Sequence, residues 1–198
     1  IVKMDTEIFK KHWDRVYMTQ PTRGCPFACT FCVNNTYLAM HPHQKPIRKR
    51  SVDNIIVELQ KVKEQIPFIK CIMFDDDAFF LMSLDEISDF SKKYKEHIRI
   101  PLFITGATPS TLTKEKLSLL VDAGLFRVRM GVQTAGTSTK KLYKRPHTNQ
   151  QVEKAVRMVH SHKELSGKYD IILDSPWDTD EDTIETLMFL SKLPTPFQ

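Results

Sequence analysis

A chain of 198 residues with 41% hydrophobic content can bury the core of one ordinary domain. No apolar run approaches membrane-spanning length, and eleven prolines against six glycines exclude a low-complexity chain. The formal net charge of +5 is compatible with an anionic partner, but Lys61, Lys63, Lys92, Lys93 and Lys95 fall on predicted helix faces, where charge reads as a solvated surface.

In chain order, residues 16–20 read as a short strand leading into a cysteine-rich loop. Ser51 or Asp53 can cap a helix whose apolar stripe is Ile55, Ile56, Leu59, Val62 and Ile66. Residues 69–74 form a continuous apolar run, the pattern of a strand covered on both faces. A helix follows over 84–97 and a strand over 100–105. The next helix, 114–122, ends at Gly124, a residue suited to the left-handed position after a helix. A strand over 126–132, a helix over 150–163 and a strand over 169–173 come next. Thr179 opens the last helix, with Asp182 placed for a capping box. Strand–helix alternation at this spacing predicts an α/β fold of parallel βαβ units, a barrel-like sheet with about five units visible. The start at Ile1 and the Leu193-Pro194-Thr195-Pro196-Phe197-Gln198 end read as those of an excised segment.

The sharpest local signal is Cys25-Pro26-Phe27-Ala28-Cys29-Thr30-Phe31-Cys32, a C-x3-C-x2-C run. That spacing suits a loop wrapped around one face of an iron–sulfur cube, giving three ligands to four irons. An electron-carrying cluster normally has four protein ligands, so an open iron implies chemistry. The competing reading is a structural zinc site in which His41 or His43 completes Cys3His, although no second cysteine pair exists. Cys71 stands alone. Four cysteines with no apolar leader suit a reducing cytoplasm better than a disulfide framework. The basic run Lys45-Pro46-Ile47-Arg48-Lys49-Arg50 follows the loop; a hexapeptide does not define a phosphate site, and it too reads as a solvated face.

Parallel sheets place functional loops at the carboxyl ends of their strands. There stand the cysteine loop, the triple acid Asp75-Asp76-Asp77, Gln133 with Arg129 before it, then Tyr143-Lys144-Arg145, and Asp170 with Asp174 beyond it. The C-x3-C-x2-C run resembles the signature of radical S-adenosylmethionine enzymes. The cofactor that this resemblance implies, S-adenosylmethionine, needs an acid for its ammonium, an arginine for its carboxylate, an amide or carboxylate for its ribose and an aromatic over its adenine. Asp76 or Asp77, Arg145, Gln133 with Asp170, and Phe31 can fill those roles. Each alone could equally be a hydrogen-bonded rim residue, and the triple acid could cap a helix or hold a divalent ion.

With these residues in hand, the chain from about residue 16 to 193 resembles a radical S-adenosylmethionine (radical SAM) domain. Gly131-Val132-Gln133 followed by Tyr143-Lys144-Arg145-Pro146-His147-Thr148 is similar to the branch containing the oxygen-independent coproporphyrinogen oxidases. Phe74-Asp75-Asp76-Asp77-Ala78-Phe79 is similar to the pattern of cobalamin-dependent members, where it receives the methionine amino group. The resemblance implies a partial (βα)6 TIM-like barrel over residues 15–198 with its sixth strand missing. It implies Cys25, Cys29 and Cys32 as ligands of a 4Fe-4S cluster, and Asp76, Asp77, Gln133, Arg145 and Asp170 as contacts to S-adenosylmethionine, joined by Phe31 as the aromatic over the adenine. The implied chemistry is reductive cleavage of that cofactor to a 5′-deoxyadenosyl radical, within a cobalamin-dependent methyltransferase or cyclase. Residues 1–14, with a helix over 3–13, would then link to an upstream cobalamin-binding domain. A small-molecule substrate and an electron donor such as flavodoxin or ferredoxin are further implications. Two departures stand out: Asp174-Ser175-Pro176-Trp177-Asp178-Thr179 replaces a Gly-Leu-Pro-Gly-Glu-Thr stretch, and Gly106 stands where some relatives carry an acid. The alternatives are an RNA-modifying radical enzyme, although no RNA-binding domain is visible, and a non-catalytic module stabilised by zinc or a cluster.

Overall fold

The computed structural model describes residues 15–173 and 175–195. Asp174 and the expected helix over residues 3–13 lie outside them. Five parallel strands form one sheet: β1 (Val16–Thr19), β4 (Cys71–Phe74), β5 (Leu102–Ala107), β6 (Leu125–Gln133) and β7 (Ser166–Ile171). They stand side by side in chain order, each pairing in parallel with the next, the order of a singly wound, barrel-like sheet. A separate antiparallel pair, β2 (Thr22–Arg23) and β3 (Arg48–Lys49), brackets the cysteine loop and the short helix α1 (Val33–Met40). The remaining helices are α2 (Val52–Gln65), α3 (Leu84–His97), α4 (Lys114–Asp122), α5 (Thr137–Leu142), α6 (Asn149–His160) and α7 (Asp180–Leu190). This is the α/β architecture expected of a partial barrel.

Local chemistry sets the element boundaries. Ser51 caps α2 by accepting from Asn54 N, and α2 buries Ile55, Ile56, Leu59 and Val62, the predicted stripe. Ser83 with Glu86 and Thr148 with Gln151 form reciprocal capping boxes at α3 and α6, each satisfying two otherwise orphaned donors. Thr179 caps α7 through Asp182 N, but the Asp182 carboxylate turns towards Ser138 and Thr179. The left-handed turn after α4 falls at Gly124, φ 111°. Strand β5 starts two residues later than expected because Pro101 has no N–H for the ladder. Strand β7 starts earlier, at Ser166, with the Tyr169 ring lying over Gly167 where a Cβ would collide.

Burial on the strands corrects the expectation of two covered faces. Ile72 and Phe74 are fully buried beneath the helices, whereas Cys71 and Met73 are half-buried on the concave side. That side also carries Arg127, Arg129, Lys168 and Asp170, so the concave face is polar and partly open rather than a second core. The reason is geometric: five strands curve without closing, and only the helix-covered face excludes water. Under the helices, Phe74, Phe79, Phe90 and Tyr94 pack ring against ring, with centroids 5.3 to 5.7 Å apart. Replacing Phe90 with Ala removes the ring that touches the other three, and should lower unfolding stability by about 3–5 kcal/mol in urea titration. A loss under about 1 kcal/mol would contradict that packing account.

Candidate active site at the carboxyl ends of the strands

Gly24 begins the cysteine loop in a left-handed conformation, φ 84°, close against the Pro46 carbonyl, so a side chain there would strike backbone. All the cysteines are free thiols; Cys29 is buried and Cys25 and Cys32 are half-buried. Cys32 then stands at the N-cap position just before α1, donating its N–H to Cys29 O at 3.1 Å. The far side of the loop is pinned to α5: Thr30 Oγ1 donates to Leu142 O at 2.8 Å and Thr30 N to Tyr143 O at 3.3 Å. Phe31 meets Tyr143 edge to face at 5.1 Å.

The three cysteines line one cavity of about 310 Å³ together with Asp76, Asp77, Gln133, Arg145 and Asp170. The residues singled out at separate strand ends therefore converge on one space. Their environments differ. Asp76 is 3% exposed, and its carboxylate accepts from Thr22 N (2.6 Å), Thr22 Oγ1 (2.5 Å) and Ala78 N (2.8 Å). Burial pushes its pKa up against those three donors. Asp77 is exposed and opens onto the cavity. Asp170 receives Arg129 Nε on both oxygens, at 2.8 and 2.9 Å.

Gln133 ends β6 at φ 65°, a conformation that costs a non-glycine residue and concentrates at functional sites. Its side chain folds over Gly131, where a Cβ would strike the amide, and its buried Oε1 has no hydrogen-bond partner among the described residues. Arg145 Nη2 donates to Gly131 O at 2.8 Å and Nη1 to Cys29 Sγ at 3.3 Å, while its buried Nε is unpartnered in the same sense. A buried acceptor and a buried donor left open beside three thiols fit a polar cofactor lying on a thiolate-held cluster. Burial first, with the Cys29 and Asp77 charges adding and the Phe27 N–H opposing, pushes the Cys25 thiol up.

Among the described residues no three Cys, His, Asp or Glu side chains converge to hold a single metal ion. His41 lines a neighbouring cleft with Cys25 but not with Cys29 or Cys32, and His43 is exposed. Residues 175–179 do not line the cavity; they fold into a turn in which Asp178 accepts from Ser175 N and Thr139 Oγ1, leaving Trp177 70% exposed.

Sequence reasoning missed Asn34, Thr105 and Thr108, which also line the cavity. It also missed the Arg145–Cys29 contact, which spans 116 residues. Gly106 was the available signal for β5. At φ 73° it brings the strand against the Asp76 and Asp77 backbone, where any Cβ would collide, which explains why no acid stands there.

A family model described as the Radical SAM superfamily matches residues 19–190. The chain belongs to this superfamily. It is 27% identical over 172 residues to an uncharacterized methyltransferase of Pyrococcus horikoshii, covering 87% of this chain and 36% of that protein. The radical SAM fold is shared with the cobalamin-dependent S-adenosylmethionine radical enzyme OxsB at a TM-score of 0.75 and 21% identity, over 98% of this chain and 29% of that one. Coproporphyrinogen III oxidase (HemN) from Escherichia coli, also a radical SAM enzyme, aligns at a TM-score of 0.65 and 19% identity, over 90% of this chain and 41% of its own. The chain thus spans about a third of the length of these relatives. Among the described residues no helix is long and apolar enough to cross a membrane.

His147, two residues beyond Arg145 in sequence, is 3% exposed, and burial lowers its pKa to about 4, with the Arg145 charge adding. Its neutral form is the folded form, so its contribution is complete above pH ~6.5 and is lost as pH falls from there towards 4. The wild type should lose about 2 kcal/mol more stability than His147→Leu between pH 7.5 and 5, by urea unfolding at each pH. Parallel losses in both proteins would contradict this.

Proposed function

We propose that this chain is the catalytic radical SAM part of a cobalamin-dependent enzyme that methylates or rearranges a small molecule. The observation that carries the reading is the convergence on one cavity of the three cysteines, the Cys29-bound Arg145 and a Gln133 Oε1 with no partner among the described residues. Cys25, Cys29 and Cys32 would hold a 4Fe-4S cluster by three of its irons. When bound, the cluster and S-adenosylmethionine supply reductive cleavage of the sulfonium and a reactive carbon radical.

The protein's own work is positional. Asp76 is committed to Thr22 and Ala78, so Asp77 is the acid left to receive the ammonium. Arg145, with its Nε open, faces the carboxylate, and its bond to Cys29 sets the guanidinium beside the cluster. Gln133 Oε1 accepts from a ribose hydroxyl, and Asp170, oriented by Arg129, stands beside it. Phe31, held by Tyr143, offers a face to the adenine. The cobalamin assignment is supported by the Phe74-Asp75-Asp76-Asp77-Ala78-Phe79 motif and by the fold shared with OxsB; the methyl-transfer assignment is supported by the relative from Pyrococcus horikoshii. A cobalamin-binding domain upstream of residue 15, an external one-electron donor and a cytoplasmic location complete the reading.

After anaerobic reconstitution, Cys29→Ala should lose the cluster and S-adenosylmethionine cleavage together, while Cys71→Ala keeps both; iron and sulfide content and methionine release measure this. Retained cleavage in Cys29→Ala would overturn the proposal. Gln133→Ala should keep the cluster and weaken S-adenosylmethionine binding by about tenfold, the order expected for one buried hydrogen bond. Unchanged affinity would remove Gln133 from the contact set.

A further inference from the structure

A second, larger cleft of about 650 Å³ adjoins the cluster cavity and shares Cys25, Asn34 and Asp77 with it. Arg23, Lys45 and Arg48 line it. Arg23 and Arg48 are directly opposite partners in the β2–β3 pair, an arrangement in which like charges destabilise a strand pair. Nearby cations on the same strand and just beyond it are neutralised: Lys49 bonds Glu86 at 3.0 Å and Arg50 bonds Glu58. The three cations of the cleft have no carboxylate partner among the described residues, and Arg48 reaches only Gln44 Oε1, at 3.4 Å. The arrangement is built in: Gly24 lets the loop at Pro46 close against the β2 end, bringing Lys45 to the cleft with the two arginines. Asp77, the one acid lining the cleft, stands at its junction with the cluster cavity.

We propose that this cleft is an oxyanion-binding site that anchors the phosphate or carboxylate of the substrate beside the cluster cavity. Three converging cations in a concavity of small-molecule size supply the charge-assisted contacts such a group takes, and ligand charge removes the Arg23–Arg48 repulsion. The basic run is thus divided between acid-paired residues (Lys49, Arg50) and exposed residues that line the cleft without a carboxylate partner among the described residues (Lys45, Arg48). The substrate role rests on the function proposed above; the anion site itself does not need the cluster.

Calorimetric titration of the purified chain before iron loading, with inorganic pyrophosphate and with citrate, tests this without reference to cluster chemistry. At least one should bind, and the one preferred distinguishes phosphate from carboxylate. Arg48→Gln and Lys45→Gln should each weaken binding about tenfold or more, against less than about twofold for Lys61→Gln on the exposed face of α2. Lys45 lies in the loop outside the strand pair, so Lys45→Gln decides the matter if Arg48→Gln fails to fold. No binding of either anion at millimolar concentration would overturn the proposal. Equal weakening by Lys61→Gln, or tighter binding of single-stranded RNA than of both anions, would do the same. Cluster assembly measured on the same variants remains intact if only the anion site is wrong.

Discussion

The buried carboxylate of Asp76 is the constraint on which the site depends. It joins the end of β4 to β2 through Thr22 and turns the chain through Ala78. The Asp76 N–H donates to Thr105 Oγ1 of β5 at 2.8 Å, and Gly106 lets that strand lie against the same backbone. Two neighbouring strands of the sheet, β4 and β5, and strand β2 of the separate pair are thereby referenced to one residue, and β2 leads within two residues to Cys25. A carboxylate held by three donors inside a half-polar rim is costly to leave unpaired, so the geometry of the loop is strongly specified.

A second tie reaches the cysteine loop from the opposite end of the chain. Thr186 on α7 receives Ala135 N and Gly136 N at 3.1 and 3.2 Å, and Asp182 receives Ser138 N at 3.1 Å and the Ser138 hydroxyl. The Ser138 hydroxyl is the first cause of the lowered Asp182 pKa. These bonds fix the start of α5, and the end of α5 delivers Leu142, Tyr143 and Arg145 to Thr30, Phe31 and Cys29. The last helix thus positions the thiol-bearing loop through α5; Asp182 and Arg145 were singled out in the sequence, but the bonds that join them into one path were not.

Periodicity and capping made most of the scaffold legible. The helices α3 and α4 occupy the expected residues because apolar spacing and end signals agree there. Helix α1 escaped because it buries no residue, so no apolar stripe marks it, and the two-residue strands β2 and β3 are too short for any period. The site residues were readable as chemistry at strand ends. Their different settings were not: adjacent Asp76 and Asp77 are the same residue type, and only burial and donors separate the buried, donor-held carboxylate from the exposed one. The charge of Arg48 likewise looked like that of Lys49 and Arg50 until the strand register set it opposite Arg23.

The central claim is that the cysteine loop and the strand-end residues form one cofactor site. Electron paramagnetic resonance of the anaerobically reconstituted, reduced chain, with and without S-adenosylmethionine, tests it most directly. The account predicts a 4Fe-4S signal whose g-values shift when S-adenosylmethionine is added, because the cofactor reaches an iron that no cysteine holds. A cluster signal that is indifferent to S-adenosylmethionine, or zinc bound in place of iron and sulfide, would contradict it.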